Sequence, residues 1–221
     1  MTVSKSKEGS ASMKSNYEQM KIQMQDHFLD YDQQVMIRRF GLRADDDYLY
    51  LNFCARPYRV SRSSGRVEWS ENGFIEAFGA DYNEAMSIFD VLCCSKEGCR
   101  LSGEFVSVNN LPGIVAGARS GSGMFDGSAA YFDAKAEALG RACERLGGQR
   151  IAQGDVGFRL KVFDFLPLEL RFWESDDEFP PSLNLLWDRN LLDFIHYETS
   201  YFIAGHLMSR LKSIMEGELG K

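Results

Sequence analysis

Apolar residues recur along this chain at two different spacings, and the changes between them predict the order of its elements. From Ser15 towards Arg38 or Arg39, Tyr17, Met20, Met24, Phe28, Tyr31 and Val35 follow steps of three and four. Such steps put one apolar stripe on a helix. Ser15 and Glu18 have capping-box spacing at its start, and Gly41 lies just beyond its end. The pattern then shifts to short pieces rich in aromatic and β-branched residues: Tyr48 to Cys54, Arg56 to Ser61 and Arg66 to Ser70, with Ser63-Ser64-Gly65 as a turn. These read as a meander or hairpin pair. Helical spacing returns at Asp81, whose carboxylate can cap while Glu84 sits three residues on. Ala85, Ile88, Phe89 and Leu92 form the apolar face, and Gly98 is expected to end the helix.

Gly103 to Val108 reads as a strand and Asn109 to Gly113 as a turn. A glycine-serine segment over Gly117 to Gly123 lacks the Gly-Lys-Ser/Thr ending of a phosphate loop and reads as a lid or plain loop. One helix is expected from about Ser128 to Leu146, with Phe132, Ala136, Leu139, Cys143 and Leu146 on one face and Gly147-Gly148 as its stop. Cys143 is thereby assigned to packing. Strand character follows at Gly157 to Phe165, Leu168 to Glu174 and Ser182 to Trp187, then a helix from about Glu198 to Glu216. Helices bracket groups of strands instead of alternating with them. The expected fold class is therefore α+β, a mainly antiparallel sheet packed against several helices, with no internal repeat. The polar opening residues predict a disordered N-terminal tail over 1–14, leaving 15–221 as a single domain.

With 221 residues, 16 Phe, 9 Tyr and 3 Trp, the chain can bury a large core, so stability is not expected to need a metal or disulfides. A formal charge of −7 argues against nucleic acid and anionic membranes as general partners, because both are themselves negative. No apolar run approaches the ~20 residues of a membrane span. Five cysteines, Cys54, Cys93, Cys94, Cys99 and Cys143, form an odd set without scaffold spacing. A reducing cytoplasm is the expected location.

Chemistry concentrates at few places. Glu174, Asp176, Asp177 and Glu178 crowd one loop between two apolar segments. Carboxylates massed that closely are either solvated or held for a cation or a basic partner. Their oxygen chemistry suits Mg²⁺ or Ca²⁺, with Asp176, Asp177 and Glu178 as candidate ligands, and Asp188 either facing the loop or lying at the far end of the hairpin. Two prolines in the loop exclude an EF-hand. Asp193, His196 and Glu198 precede the last helix, where His196 and Glu198 are candidates for acid-base chemistry or simply belong to the helix start. Arg56, Arg59, Arg62 and Arg66 surround Tyr58 without an intervening acid. Their guanidinium forks suit an anion, and the competing reading is a charged edge strand. Cys93, Cys94 and Cys99 contain no Cys-x-x-Cys pair, and ordinary helix-end thiols are the default.

Gly154-Asp155, Leu166-Pro167-Leu168, Trp173 to Pro180 and Leu185-Leu186-Trp187-Asp188 together carry a resemblance. Phe40-Gly41, Leu101 to Val106 and Gly147-Gly148 extend it. In these residues the chain resembles a bacterial and archaeal family, the domain of unknown function 3786. The resemblance implies no catalytic residues. Some similar proteins carry an N-terminal cysteine-rich iron-sulfur domain; this chain has no cysteine before Tyr48, so no intrinsic cluster is expected there.

The leading expectation is thus a cytosolic binding or accessory protein, with the Glu174 to Glu178 loop and the Arg56 to Arg66 stretch as surfaces for a protein or small-molecule partner. Their opposite charges also suit self-association into a homo-oligomer. The alternative is a divalent-metal enzyme using the same loop's carboxylates with His196.

Overall fold

The computed structural model describes residues 5–114 and 126–219. The glycine-serine segment over 117–123 lies outside them. Two compact units are present, one within Met1–Leu51 and Pro57–Cys94, the other within Asn52–Arg56 and Ser95–Lys221.

In the first unit the expected opening helix is two helices. Helix α1 spans Lys5–Phe28, and α2 spans Gln33–Phe40. Of the tail expected over 1–14, residues 1–4 lie outside the described residues and α1 takes in the remainder. The break has a local cause: the Asp32 carboxylate accepts from the amides of Gln34 and Val35, a cap that starts a new helix. Gly41, in the left-handed conformation at φ 61°, closes α2 where the sequence placed it. Short β1 (Arg43–Ala44) pairs with β2 (Tyr48–Phe53), followed by β3 (Arg56–Ser61), β4 (Val67–Trp69) and β5 (Phe78–Gly79). Within the unit the strand order is β5-β4-β3-β2. Helix α3 (Tyr82–Cys94) packs on α1, with the Phe28 and Phe89 rings 5.9 Å apart.

The expected capping box is formed. Asp81 Oδ1 accepts from the Glu84 amide and Glu84 Oε2 from the Asp81 amide, both at 2.8 Å. The other Glu84 oxygen accepts from the hydroxyl of fully buried Tyr58 at 2.7 Å. One cap thereby satisfies a buried phenol as well.

In the second unit, β6 (Phe105–Ser107) is followed by α4 (Asp126–Phe132), α5 (Ala136–Arg145), β7 (Gln149–Arg150), β8 (Val156–Phe163), β9 (Leu166–Trp173), β10 (Ser182–Asp188) and α6 (Tyr197–Leu219). The strands run β8-β9-β10-β6 with β7 beside β8, all antiparallel. Phe53, the last residue of β2, joins them opposite Phe163, its ring stacked at 4.7 Å. Alternation sets the faces. Phe158, Leu160 and Val162 of β8 and Leu168, Leu170 and Phe172 of β9 are buried, while Arg159 and Lys161 are exposed. Helix α5 packs on β8, α4 on β10 and α6 on α5. The fold is α+β with antiparallel pairing and bracketing helices, as the alternating periodicities imply. Cys143 is buried on α5, where burial pushes its thiol up to about 12.

The single helix expected from Ser128 to Leu146 is instead α4 and α5, broken at Asp133–Lys135. Ala134 there has φ 56°. The residues that hold the break are remote in sequence, and they belong to the acidic loop.

Candidate functional site

The acidic loop connects β9 to β10, and its own carboxylates build it. Asp176 Oδ1 accepts from the amides of Glu178 and Phe179 at 2.8 and 2.7 Å, while the Asp176 amide donates to the Phe179 carbonyl at 3.0 Å. A short polar side chain bonding its own backbone two and three residues on closes a tight turn. Glu174 reaches α5. Lys135, at the N-cap of α5, gives no side-chain cap bond, and Glu174 Oε1 accepts from the Ala136 amide at 3.1 Å instead. A carboxylate on a first-turn amide satisfies an orphan donor and complements the helix dipole. Asp133 supports the neighbouring residue, accepting from the Ser175 amide at 2.9 Å and its hydroxyl at 2.8 Å. These two bonds hold the Asp133 carboxyl below the usual range.

Asp155 completes the anchorage by accepting from the Glu174 amide at 2.9 Å. Gly154 beside it has φ 86°, and a Cβ there would stand 2.7 Å from the Phe172 carbonyl oxygen. Only glycine fits that approach without strain. The Gly154-Asp155 pair therefore holds the base of the loop. What remains at its tip is outward-facing: Asp177, Glu178 and Phe179, the last 66% exposed, with Trp173 at 37% on the adjoining strand end. Among the described residues Asp177 and Glu178 make no side-chain hydrogen bond or ion pair.

Asp188 lies at the far end of β10, away from the loop. It is fully buried, and its carboxylate accepts from the Ser102 amide and hydroxyl, the Gly103 amide and the Asn190 amide, at 2.9 to 3.0 Å. The structure does not bring it together with Asp176, Asp177 and Glu178. Nor do the loop's carboxylates gather three at a time within ligand distance among the described residues.

The other candidates also occupy distinct places. His196 is exposed at the start of α6, where its carbonyl accepts from the Thr199 amide, and Glu198 is exposed in the first helical turn. Asp193 pairs with Lys96 at 2.8 Å. Arg59 is held by Glu68 on β4 at 2.8 Å and lies 4.2 Å over the Tyr48 ring; Arg66 binds the other Glu68 oxygen at 3.0 Å. Arg62 donates to Gln33 Oε1 and to the Asp45 carbonyl. In the first unit β3 lies between β4 and β2, which corrects the edge-strand reading: these arginines stitch neighbouring segments. Arg56 is half-buried beside the turn of the second unit. Burial pushes the Cys93 thiol up to about 12; partial burial and the nearby Asp90 push Cys94 up to about 11. Neither is a thiolate at neutral pH.

Sequence reasoning missed one feature. A cavity of about 230 Å³ opens at the β8–β9 turn, lined by the polar side chains of Arg159, Lys161 and Asp164 and the apolar ones of Leu101, Phe165 and Pro167. The strict alternation Phe158-Arg159-Leu160-Lys161-Val162 was the available signal, since it sets two cations on one face. Nothing in the local sequence says that Leu101 lies beside them.

The chain belongs to the family described as Domain of unknown function 3786, which it matches over residues 32–210. That span includes the acidic loop, its anchors and the cavity. No curated protein and no solved structure matches the chain. Among the described residues no helix is long and apolar enough to cross a membrane.

Proposed function

We propose that this member of the family is a non-catalytic binding or accessory protein that docks a partner protein through the tip of the β9–β10 loop. The observation that carries the reading is the division of labour within the loop. Glu174 and Asp176, with Asp133 and Asp155 beneath them, fix its backbone, while Asp177, Glu178 and Phe179 face outward. A loop already held in one shape loses little entropy on binding. An exposed aromatic ring supplies an anchor for an apolar pocket, and acids around it select and steer a basic rim. The partner is therefore a protein surface with an apolar recess bordered by Lys or Arg.

The test is quantitative copurification from the native cell at low and moderate salt. It compares the unaltered protein with Phe179→Ala and with Asp177→Asn combined with Glu178→Gln. The expected result is a stoichiometric partner that is lost with Phe179→Ala and bound more weakly, with less salt dependence, in the charge variant. Circular dichroism should be unchanged in both, because these side chains make no internal polar contact. Equal recovery of the same proteins by all three forms would overturn the proposal.

A further inference from the structure

At the end of the β8–β9 hairpin opposite the acidic loop, about 20 Å away at the rise of a strand, the cavity combines features that a solvated groove does not need. We propose that it binds a small organic anion, with a phosphate or carboxylate at one end and an apolar body at the other. Two cations project from alternate positions of one strand in a protein whose overall charge is −7. Lys161 makes no hydrogen bond or ion pair among the described residues. Its ammonium, a point charge with three donors, faces a concave surface without an internal partner.

Arg159 is prepared differently. One terminal nitrogen donates to Glu169 at 2.7 Å, and the guanidinium carbon lies 4.6 Å from the centre of the Phe105 ring. Those contacts fix the plane of the guanidinium. Nε and Nη1 have no acceptor among the described residues, so in-plane donors remain for an oxyanion. Glu169 is in turn shared with Arg171 at 2.7 Å, so the buried carboxylate does not fully neutralise Arg159. Leu101, Phe165 and Pro167 add apolar lining, with Pro167 directly across the strand pair from Lys161. Asp164, tied by Asn52 at 2.9 Å, repels a second anionic group and accepts from a hydroxyl or amine. The volume lies below the roughly 300–1,000 Å³ of drug-sized sites, which fits a small metabolite.

The test is a nitrogen-15 correlation NMR titration of the full chain with phenyl phosphate and benzoate to low-millimolar concentration, with phenol as the uncharged control. Saturable shifts should appear at the amides of Gly147, Gln149 and Phe165, with at least one anion binding roughly tenfold tighter than phenol. Lys161→Gln should weaken that anion roughly tenfold, and because Lys161 has no internal bond the remaining spectrum should stay in place. Asp164→Asn should instead strengthen it severalfold. A merely structural role would not move the two variants in opposite directions. Absence of saturable shifts with both anions, phenol binding as tightly as the anions, or equal affinity in Lys161→Gln would each overturn the proposal. The outcome is independent of partner docking, which is read at Phe179 on the opposite end of the hairpin.

Discussion

Replacing Asp188 with asparagine changes one atom's chemistry at a fully buried position, and its cost can be worked from the bonds around it. Three donors converge on Oδ1: the Ser102 amide, the Ser102 hydroxyl and the Asn190 amide. One, the Gly103 amide, meets Oδ2 at 2.9 Å. The asparagine carbonyl can replace Oδ1 and keep the three. Its amide group then faces the Gly103 N–H, donor against donor. The loss comprises one charge-assisted bond and a stranded donor, less whatever relaxation recovers, or about 3 kcal/mol. For a chain of this size that corresponds to a fall in Tm of about 6–12 °C. Asp188→Ala removes both oxygens and strands three backbone donors, so it should cost more, about 5 kcal/mol. Differential scanning calorimetry on the three proteins, each with and without a chelator, is the assay. The expected order is Asp above Asn above Ala, unaffected by the chelator. An Asp188→Asn protein melting within about 2 °C of the unaltered one would refute the account, because a saturated buried carboxylate cannot lose its charge so cheaply. Chelator sensitivity confined to the unaltered protein would restore Asp188 as a metal ligand.

Glu169→Gln should destabilise by about 2 kcal/mol in urea titration, less than a fully buried ion pair because Arg159 and Arg171 are 43% and 27% exposed and can hydrate when released. Burial pushes the Glu169 carboxyl up, yet its bonds to Arg159 and Arg171 outweigh that and hold it below the ordinary glutamate value. A depressed folded value means stability that is present above the unfolded value of about 4.3 and lost as pH falls through the lower folded value, so the variant's stability should decline less steeply over that acid range. Gly154→Ala should cost about 2–3 kcal/mol through its positive φ and the Phe172 carbonyl, visible as a lower urea midpoint with unchanged slope. Glu174→Ala should cost about 1 kcal/mol and speed hydrogen exchange at the Ala136 amide, leaving the Ser175 amide, held by Asp133, and the β8–β9 pairs protected; unchanged exchange at Ala136 would count against the Glu174 cap.

Local rules determined much of this protein. Period and alternation placed most of its elements and its α+β class. The Asp81–Glu84 spacing named a cap that is formed, and Gly41 and Gly147 ended helices because each takes a positive φ that other residues resist. These features depend on residues a few positions apart, which is the range a sequence pattern reports. Tertiary structure decided where distant residues meet. The break at Ala134 has no helix-breaking residue of its own; it stands where Asp133 binds Ser175 and Glu174 binds the Ala136 amide, across about forty positions. The acidic loop was legible as a cluster, but only the hydrogen bonds separate the carboxylates that build it from those that face outward. Asp188 was legible as an acid near that cluster, whereas antiparallel pairing carries it to the opposite end of the hairpin and encloses it with Ser102 and Gly103. The cavity beside Lys161 arises where Leu101 and Gln149, far apart in sequence, border the same strand turn. Side-chain chemistry is written locally; the proximity that gives it a use comes from chain topology.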